Sequence, residues 1–325
     1  MKLTFSSRLV KLISIFVITV AILAIAACHS NTSQLKMQPS SKMRSPIATQ
    51  VVNHALGEVR IPVAPQRVIV LHDMLILDSV LALGVKPIGS AYWPHEGERF
   101  RGIPPELVVD IPTVGNISQP SIEKILTLKP DLILGTHFQK NYYELLSEIA
   151  PTILINSLEL QDFKERLRYI AHVLGKGDQA EELLVVYQER IKKLRQQLGE
   201  KLEKITVSVI ALEGQNIYTY RSDFTIPSQI INDIGLTRPL IQQNQKESSL
   251  ISSIEMLPNH DADVLFVDDW AEETPDPMSF LKQPIWAQLQ AVQNNRVYQV
   301  DWSVGGPFGA NRIIDDLFKY LVNTP

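Results

Sequence analysis

From about residue 55 onward, short apolar runs alternate with amphipathic stretches. Val68–Leu71, Pro87–Gly89, Leu132–Leu134 and Thr152–Ile155 have the length and apolar character of strands, and helical spacing predominates between them around 74–83, 121–128 and 141–149. The rhythm returns in the second half, which predicts strands at 205–212, 216–220, 264–267 and 296–300 and helices near 226–234, 253–257 and 307–322. Strands that are apolar throughout, rather than alternating, belong in a parallel sheet covered on both faces. The pattern therefore predicts an α/β chain with two sheets, one per half.

A different kind of segment separates the halves. Between Asp178 and Leu198, the apolar residues Leu183, Tyr187, Ile191, Leu194 and Leu198 recur at steps of three and four, while charged residues fill the other faces. The spacing predicts one amphipathic helix, capped by Asp178 and about 31 Å long. Its position predicts a spine, with an N-terminal lobe over 51–176, a linking helix over 177–200 and a C-terminal lobe over 201–325. An internal echo points to related lobes. Ser121-Ile122-Glu123 precedes Asp131-Leu132-Ile133-Leu134, and Ser253-Ile254-Glu255 precedes Asp263-Val264-Leu265-Phe266, with eight positions from Glu to Asp in both. Each reads as a serine cap, a helix, an aspartate and an apolar strand.

Ahead of this pattern, Lys2, Arg8 and Lys11 lead into an apolar run, Leu12–Ala27, of 16 residues. That is short of the roughly 20 residues a spanning helix needs, and it has the architecture of a signal peptide over 1–27. Ile25-Ala26-Ala27-Cys28 resembles the bacterial lipobox, so Cys28, the chain's single cysteine, is expected to be acylated as the first residue of the mature protein. Residues 28–50 are rich in Ser, Pro, Asn and Gln and read as a flexible tether. The expected location is the outer face of the cytoplasmic membrane, periplasmic if the cell is diderm. No later segment is apolar enough to span a bilayer. One cysteine rules out an intramolecular disulfide and a multi-thiolate zinc site. Loss of the three leader cations takes the formal charge from −4 to −7, which gives no electrostatic reason to expect nucleic acid.

No G-x-S-x-G, H-E-x-x-H, Walker A or C-x-x-C motif is present. Gly175-Lys176-Gly177-Asp178-Gln179-Ala180 matches G-x-G-x-x-A only loosely and follows no strand, so it reads as the turn before the linking helix. With no evident Ser/His pair in local sequence, a binding protein is favoured over an enzyme. Ligands of parallel α/β sheets collect at the carboxyl ends of strands. Just past those ends lie the loop Ser90–Arg101, with Tyr92, Trp93, Arg99 and Arg101, then His137 and Phe138, Tyr220 and Arg221, Trp270, and Trp302. Aromatic rings mixed with arginine suit a large, partly anionic ligand. His72, His137, Glu213 and Asp268 or Asp269 offer an alternative, N/O ligation of a bare divalent metal ion.

Several ordered motifs resemble the substrate-binding proteins of iron–siderophore ABC importers over about residues 55–322. Gly57–Pro62 followed by Pro65–Val68 looks like an opening strand pair, and Leu83–Gly89 like the first helix-to-strand passage. Gln119-Pro120-Ser121-Ile122-Glu123-Lys124-Ile125, with Leu128-Lys129-Pro130-Asp131-Leu132-Ile133, is the most specific element. Ile149–Thr152, Trp286–Leu289, Ala291–Tyr298 and Gly305-Gly306-Pro307 follow in order. The resemblance implies an α/β fold of two Rossmann-like lobes with mainly parallel sheets, bridged by a single long α-helix. It implies capture of a ferric siderophore, of hydroxamate or citrate type, between the lobes by a monomer, and delivery to an ABC permease dimer. The chelator would supply the iron ligands, so no resident cofactor or metal site is expected. Haem, cobalamin or a bare divalent ion is the alternative cargo. Glu123 and Glu255 would dock onto permease arginines. Hydroxamate binders can carry arginine where this chain has Ile117, so Arg99, Arg101 or Arg221 would have to meet an anionic chelate.

Overall fold

The computed structural model describes residues 48–94, 100, 102–243, 245–269, 278–302 and 304–323. The signal peptide, Cys28 and most of the tether lie outside these. Among the described residues no helix is long and apolar enough to cross a membrane.

The described chain opens with an antiparallel hairpin of β1 (Thr49–His54) and β2 (Gly57–Pro62). The opening pair is therefore 49–54 with 57–62, not 57–62 with 65–68, and pairing begins two residues inside the expected tether. Ala55 and Leu56 make the tight turn, and Gly57, at φ +122°, closes it as the first residue of β2. The N-terminal sheet comprises β3 (Val68–Val70), β4 (Gly89–Tyr92), β5 (Thr113–Asn116), β6 (Gln119–Pro120), β7 (Leu132–Thr136) and β8 (Thr152–Ile155). Its order is β6-β5-β4-β3-β7-β8, and every pair except β5–β6 is parallel. β3, β7 and β8 are buried at every position, as their unbroken apolar runs require. β4 lies two residues later than the apolar run suggested, which places Tyr92 in the strand.

The C-terminal sheet comprises β9 (Val207–Glu213), β10 (Asn216–Tyr220), β11 (Ser249–Ser253), β12 (Val264–Asp269) and β13 (Val297–Val300) in the order β11-β10-β9-β12-β13. β9, β12 and β13 are parallel, whereas β10 runs antiparallel to both β9 and β11. Gly214, at φ +60°, and Gln215 are the only residues between β9 and β10, and so short a link makes a hairpin and cannot cross over.

The linking helix runs over Gly177–Leu198, about 33 Å long. Lys176 occupies its N-cap without a side-chain bond, and Asp178 lies inside the first turn. Asp178 is thus not the cap, and its charge acts through the helix dipole instead. The buried stripe is Ala180, Leu184, Tyr187, Ile191, Leu194 and Leu198, while Leu183 is half-buried. Ala180 and Leu184 join the N-terminal core, and Tyr187, Ile191, Leu194 and Leu198 join the C-terminal core. One helix thereby passes from one hydrophobic core into the other.

The echoed aspartates have matching tasks. Asp131, just before β7, accepts the backbone N–H groups of Gln66 and Arg67, both at 2.8 Å, ahead of β3. Asp263, just before β12, accepts the backbone N–H and hydroxyl of Thr206, at 2.7 and 2.8 Å, ahead of β9. Each fastens the start of the neighbouring parallel strand. The helices of the echo differ. Ile122–Leu128 is α-helical, and its N-cap Ser121 makes no side-chain cap bond. Ile254–His260 is a 3-10 segment containing Pro258, and Ser253 accepts from the Glu255 N–H at 3.3 Å. Glu123 and Glu255 are both exposed.

A second junction joins the lobes. The C-terminal helix, Pro307–Leu317 continued by a π-type turn over Phe318–Val322, packs along the linking helix and the helix Ile226–Ile234. Its N-terminus reaches the first lobe, where Asp78 accepts the N–H groups of Phe308 and Gly309 at 3.0 and 3.1 Å. Arg166 donates to the carbonyls of Leu75 and Gly305, at 3.2 and 2.9 Å, from the other side. A Cβ on Gly305 would lie 1.3 Å from the Met74 carbonyl oxygen, so only glycine permits this approach.

Candidate functional site

Between the lobes lies a cavity of about 590 Å³. From the first lobe it receives residues that follow parallel strands: His72 after β3, Trp93 after β4, His137 and Phe138 after β7, and Ser157 after β8. The second lobe contributes Val209, Ala211 and Glu213 of β9, Tyr220, Arg238, Asp268 and Trp302. Met74, Leu75, Arg166 and Val304 extend the lining to the inter-lobe junction.

The first-lobe wall is a set of interlocked rings. Phe138 stacks on His137 at 4.3 Å, meets Trp93 edge-on at 5.9 Å and lies 5.8 Å from His72. Asp73 accepts the Trp93 backbone N–H at 3.0 Å. The Phe138 turn is set by Gln139, whose Oε1 accepts the Thr136 N–H at 2.8 Å and whose Nε2 donates to the Ile117 carbonyl at 2.5 Å. Across the cleft, Tyr220 stacks on Phe224 at 6.0 Å. Trp302 is buried against Phe266 at 4.6 Å and donates its indole N–H to Asp316 at 2.9 Å.

Of the sequence-predicted ligand residues, Trp93, His137, Phe138, Tyr220 and Trp302 come together in this lining. Tyr220 belongs to an antiparallel strand, so it arrives from within β10 and not from beyond a parallel strand end. Two predicted residues do not line the cavity. Tyr92, within β4, is half-buried against the N-terminal core. Arg221 spends its donors on Asp223 at 2.5 Å, the Lys246 carbonyl at 3.2 Å and Gln161 Oε1 at 2.9 Å. Arg99, Arg101, Trp270 and the side chain of Asp269 lie outside the described residues.

The candidate metal ligands are employed locally. His72 Nδ1 accepts the Leu75 N–H at 3.2 Å, which caps the following helical turn. Burial, aided by Arg166 and His137, lowers its pKa to about 3 and holds the ring neutral. His137 Nδ1 lies 2.9 Å from Ser157 Oγ, and burial lowers its pKa too. Glu213 accepts the Tyr218 hydroxyl at 2.6 Å. Among the described residues, no group of three or more His, Cys, Asp or Glu side chains converges to hold a metal ion.

Two buried arginines of the lining escaped the sequence reading. Arg166 is committed to the carbonyls of Leu75, Leu160, Gln161 and Gly305. Arg238 follows Thr237, which bridges Thr206 beside β9, so a scan of strand ends passes over it. Both have pKa values lowered by burial to about 10 and remain charged at neutral pH.

Comparison with known proteins bears on this geometry. A family model described as periplasmic binding protein matches residues 69–303. A protein described as a probable siderophore-binding lipoprotein, YfiY of Bacillus subtilis, is 32% identical over 95% of this chain and 98% of its own length. The achromobactin-binding periplasmic protein of Dickeya dadantii is 32% identical over 78% of this chain and 86% of its own. The crystal structure of Staphylococcus aureus SirA complexed with staphyloferrin B superposes with a TM-score of 0.70 at 27% identity, covering 84% of this chain and 98% of that one.

Proposed function

The chain belongs to the periplasmic binding protein family, and from that premise we propose that it captures a ferric siderophore between its lobes and delivers it to an ABC permease. The carrying observation is the cavity. Its volume of about 590 Å³ suits an organic chelate, and a bare ion would need far less space. Aromatic rings on one wall and a buried guanidinium on the other suit a ligand with an apolar frame and anionic oxygens. The names of the relatives, which bind siderophores, achromobactin or staphyloferrin B, support the same cargo. Within that cargo, hydroxamate and citrate types are the favoured chelates. Iron enters as substrate, already ligated by its chelator. A bare divalent ion has less support, because His72 and Glu213 are engaged with protein groups.

Acylated Cys28 holds the protein at the outer face of the cytoplasmic membrane in this reading. Exposed Glu123 and Glu255 present one carboxylate per lobe to the permease. The test is a tryptophan-fluorescence titration with ferric citrate, a ferric trihydroxamate and a ferric tricatecholate, with iron-free chelators and Zn²⁺ as controls. Ferric chelates should quench through Trp93, whereas the controls should not. An equal response to Zn²⁺ would overturn the chelate reading.

A further inference from the structure

Arg238 is 5% exposed, lines the cleft cavity and carries its charge with little compensation. Its Nε donates to Gln242 Oε1 at 3.2 Å, and its Nη1 is buried without a hydrogen-bond partner. Among the described residues no carboxylate forms an ion pair with it, and burial is the one influence on its charge. An unpaired charge out of water is costly, and a buried donor left unsatisfied adds to that cost. The chain nevertheless builds a mount for this guanidinium. Gln242 is itself fixed by donating to Ser208 Oγ at 2.7 Å and by His260 Nδ1 at 3.4 Å. Gln243 donates to the Arg238 carbonyl and anchors the backbone. Ser252 Oγ meets the other ring nitrogen of His260 at 3.4 Å, and burial lowers the His260 pKa to about 4, so the ring is neutral and brings no competing charge.

The other cations near the cleft differ. Each guanidinium nitrogen of Arg166 donates to a main-chain carbonyl, and Arg221 is paired with Asp223. Among these three, Arg238 is the one with a buried guanidinium nitrogen, Nη1, that makes no hydrogen bond, on a side chain whose Nε is held by Gln242. We infer that Arg238 is the cleft's specificity-determining group and that it receives a carboxylate of the ferric chelate, which makes the cargo a carboxylate-bearing siderophore. This rests on the chelate reading above and narrows it. A guanidinium binds a carboxylate through two parallel N–H···O bonds, and a free carboxylate with its full charge satisfies an unpartnered guanidinium nitrogen better than a hydroxamate oxygen that already shares its charge with iron.

The experiment compares the wild-type protein with Arg238→Met and Arg238→Lys. Ferric citrate and a ferric trihydroxamate lacking any carboxylate serve as probes, and tryptophan quenching reports affinity. Removing a charge-assisted contact should weaken ferric citrate by about tenfold to a hundredfold in R238M. The trihydroxamate should shift by less than about threefold, and R238K, which keeps the charge, should fall between. Ligand-free R238M should unfold thermally at or above the wild-type temperature, because it loses an uncompensated buried charge. Equal losses on both probes, no loss on either, or a clear fall in the stability of ligand-free R238M and R238K would overturn the assignment. Wild-type protein that binds the trihydroxamate or a tricatecholate but not ferric citrate would also overturn it, leaving siderophore capture intact. Wild-type protein that binds no ferric chelate would remove the underlying reading and this inference together.

Discussion

The junction at Asp78 makes stability depend on pH in a direction opposite to that of most paired carboxylates. Asp78 is 2% exposed and accepts the N–H groups of Phe308 and Gly309, and Arg166 and Arg312 also favour its charged form. Burial outweighs these and raises its pKa from 3.8 to about 6. Between those values the folded protein holds a proton that the unfolded chain has released. The group's contribution is therefore complete below about pH 4 and is lost as the pH climbs through 6. About two pKa units correspond to about 3 kcal/mol. Asp78→Asn is neutral at every pH and retains one oxygen for one of the two N–H groups. Urea unfolding of both proteins at intervals from pH 4 to pH 7.5 isolates the effect, because every other titrating group is common to the pair and cancels in the difference. Relative to D78N, the wild type should lose about 2 kcal/mol of stability between pH 4 and pH 7. Parallel stability curves, or a wild type that gains on the variant as pH rises, would refute the reasoning that burial dominates at this carboxylate.

Two further outcomes follow from the same frame. Glu123→Ala combined with Glu255→Ala should leave thermal stability and chelate affinity near wild type, since both side chains are exposed, while abolishing permease-stimulated ATP hydrolysis. A double variant that lost chelate binding yet still drove transport would remove the docking assignment. X-ray scattering in solution should detect only a small change in radius of gyration on loading with a ferric chelate, because the linking helix and the Asp78 junction both oppose hinge motion. A large compaction would show that one of the two junctions yields.

Much of the fold was legible because its signals are local. β8 and β10 coincide with their apolar runs, and the linking helix lies within one residue of its predicted start because a 3.6-residue stripe over six turns has few rivals. The antiparallel turn at Gly214 also has a local signal, a two-residue link, but the apolar runs on either side carry the same pattern whether their strands are parallel or antiparallel. The helix Phe163–Leu174 also carries local signals, an Asp162 N-cap and a closing Gly175, that the strand-and-helix rhythm does not include. The site was legible only in part. Trp93, His137 and Phe138 follow parallel strands, which is a position a chain scan can find. Arg238 has no such marker. Its character arises from Gln242, Ser208 and His260, and their convergence is a tertiary fact. Arg221 failed for the converse reason: Asp223, two residues away, and Gln161, sixty residues away, consume its donors.

The two junctions and the two walls of the cleft act together. The linking helix is shared by both cores, so moving one lobe about the other must bend it or disturb packing at one end. The Asp78 junction adds a second fixed point, closed by a backbone approach at Gly305 that leaves no room for sliding. A cleft held in this way has little freedom to fold itself around a ligand, so its complementarity must exist beforehand. The side chains fit that demand. His72, Trp93, His137 and Phe138 brace one another in ring contacts, and Gln139 fixes the turn that carries Phe138. Arg238 is oriented by a hydrogen-bonded chain that ends on Ser252. Groups fixed before the ligand arrives lose little entropy on binding. A buried guanidinium held ready costs stability, and the carboxylate of the proposed cargo would offset that cost. On the proposed reading, selectivity lies in fixed side-chain positions, with lobe closure contributing little.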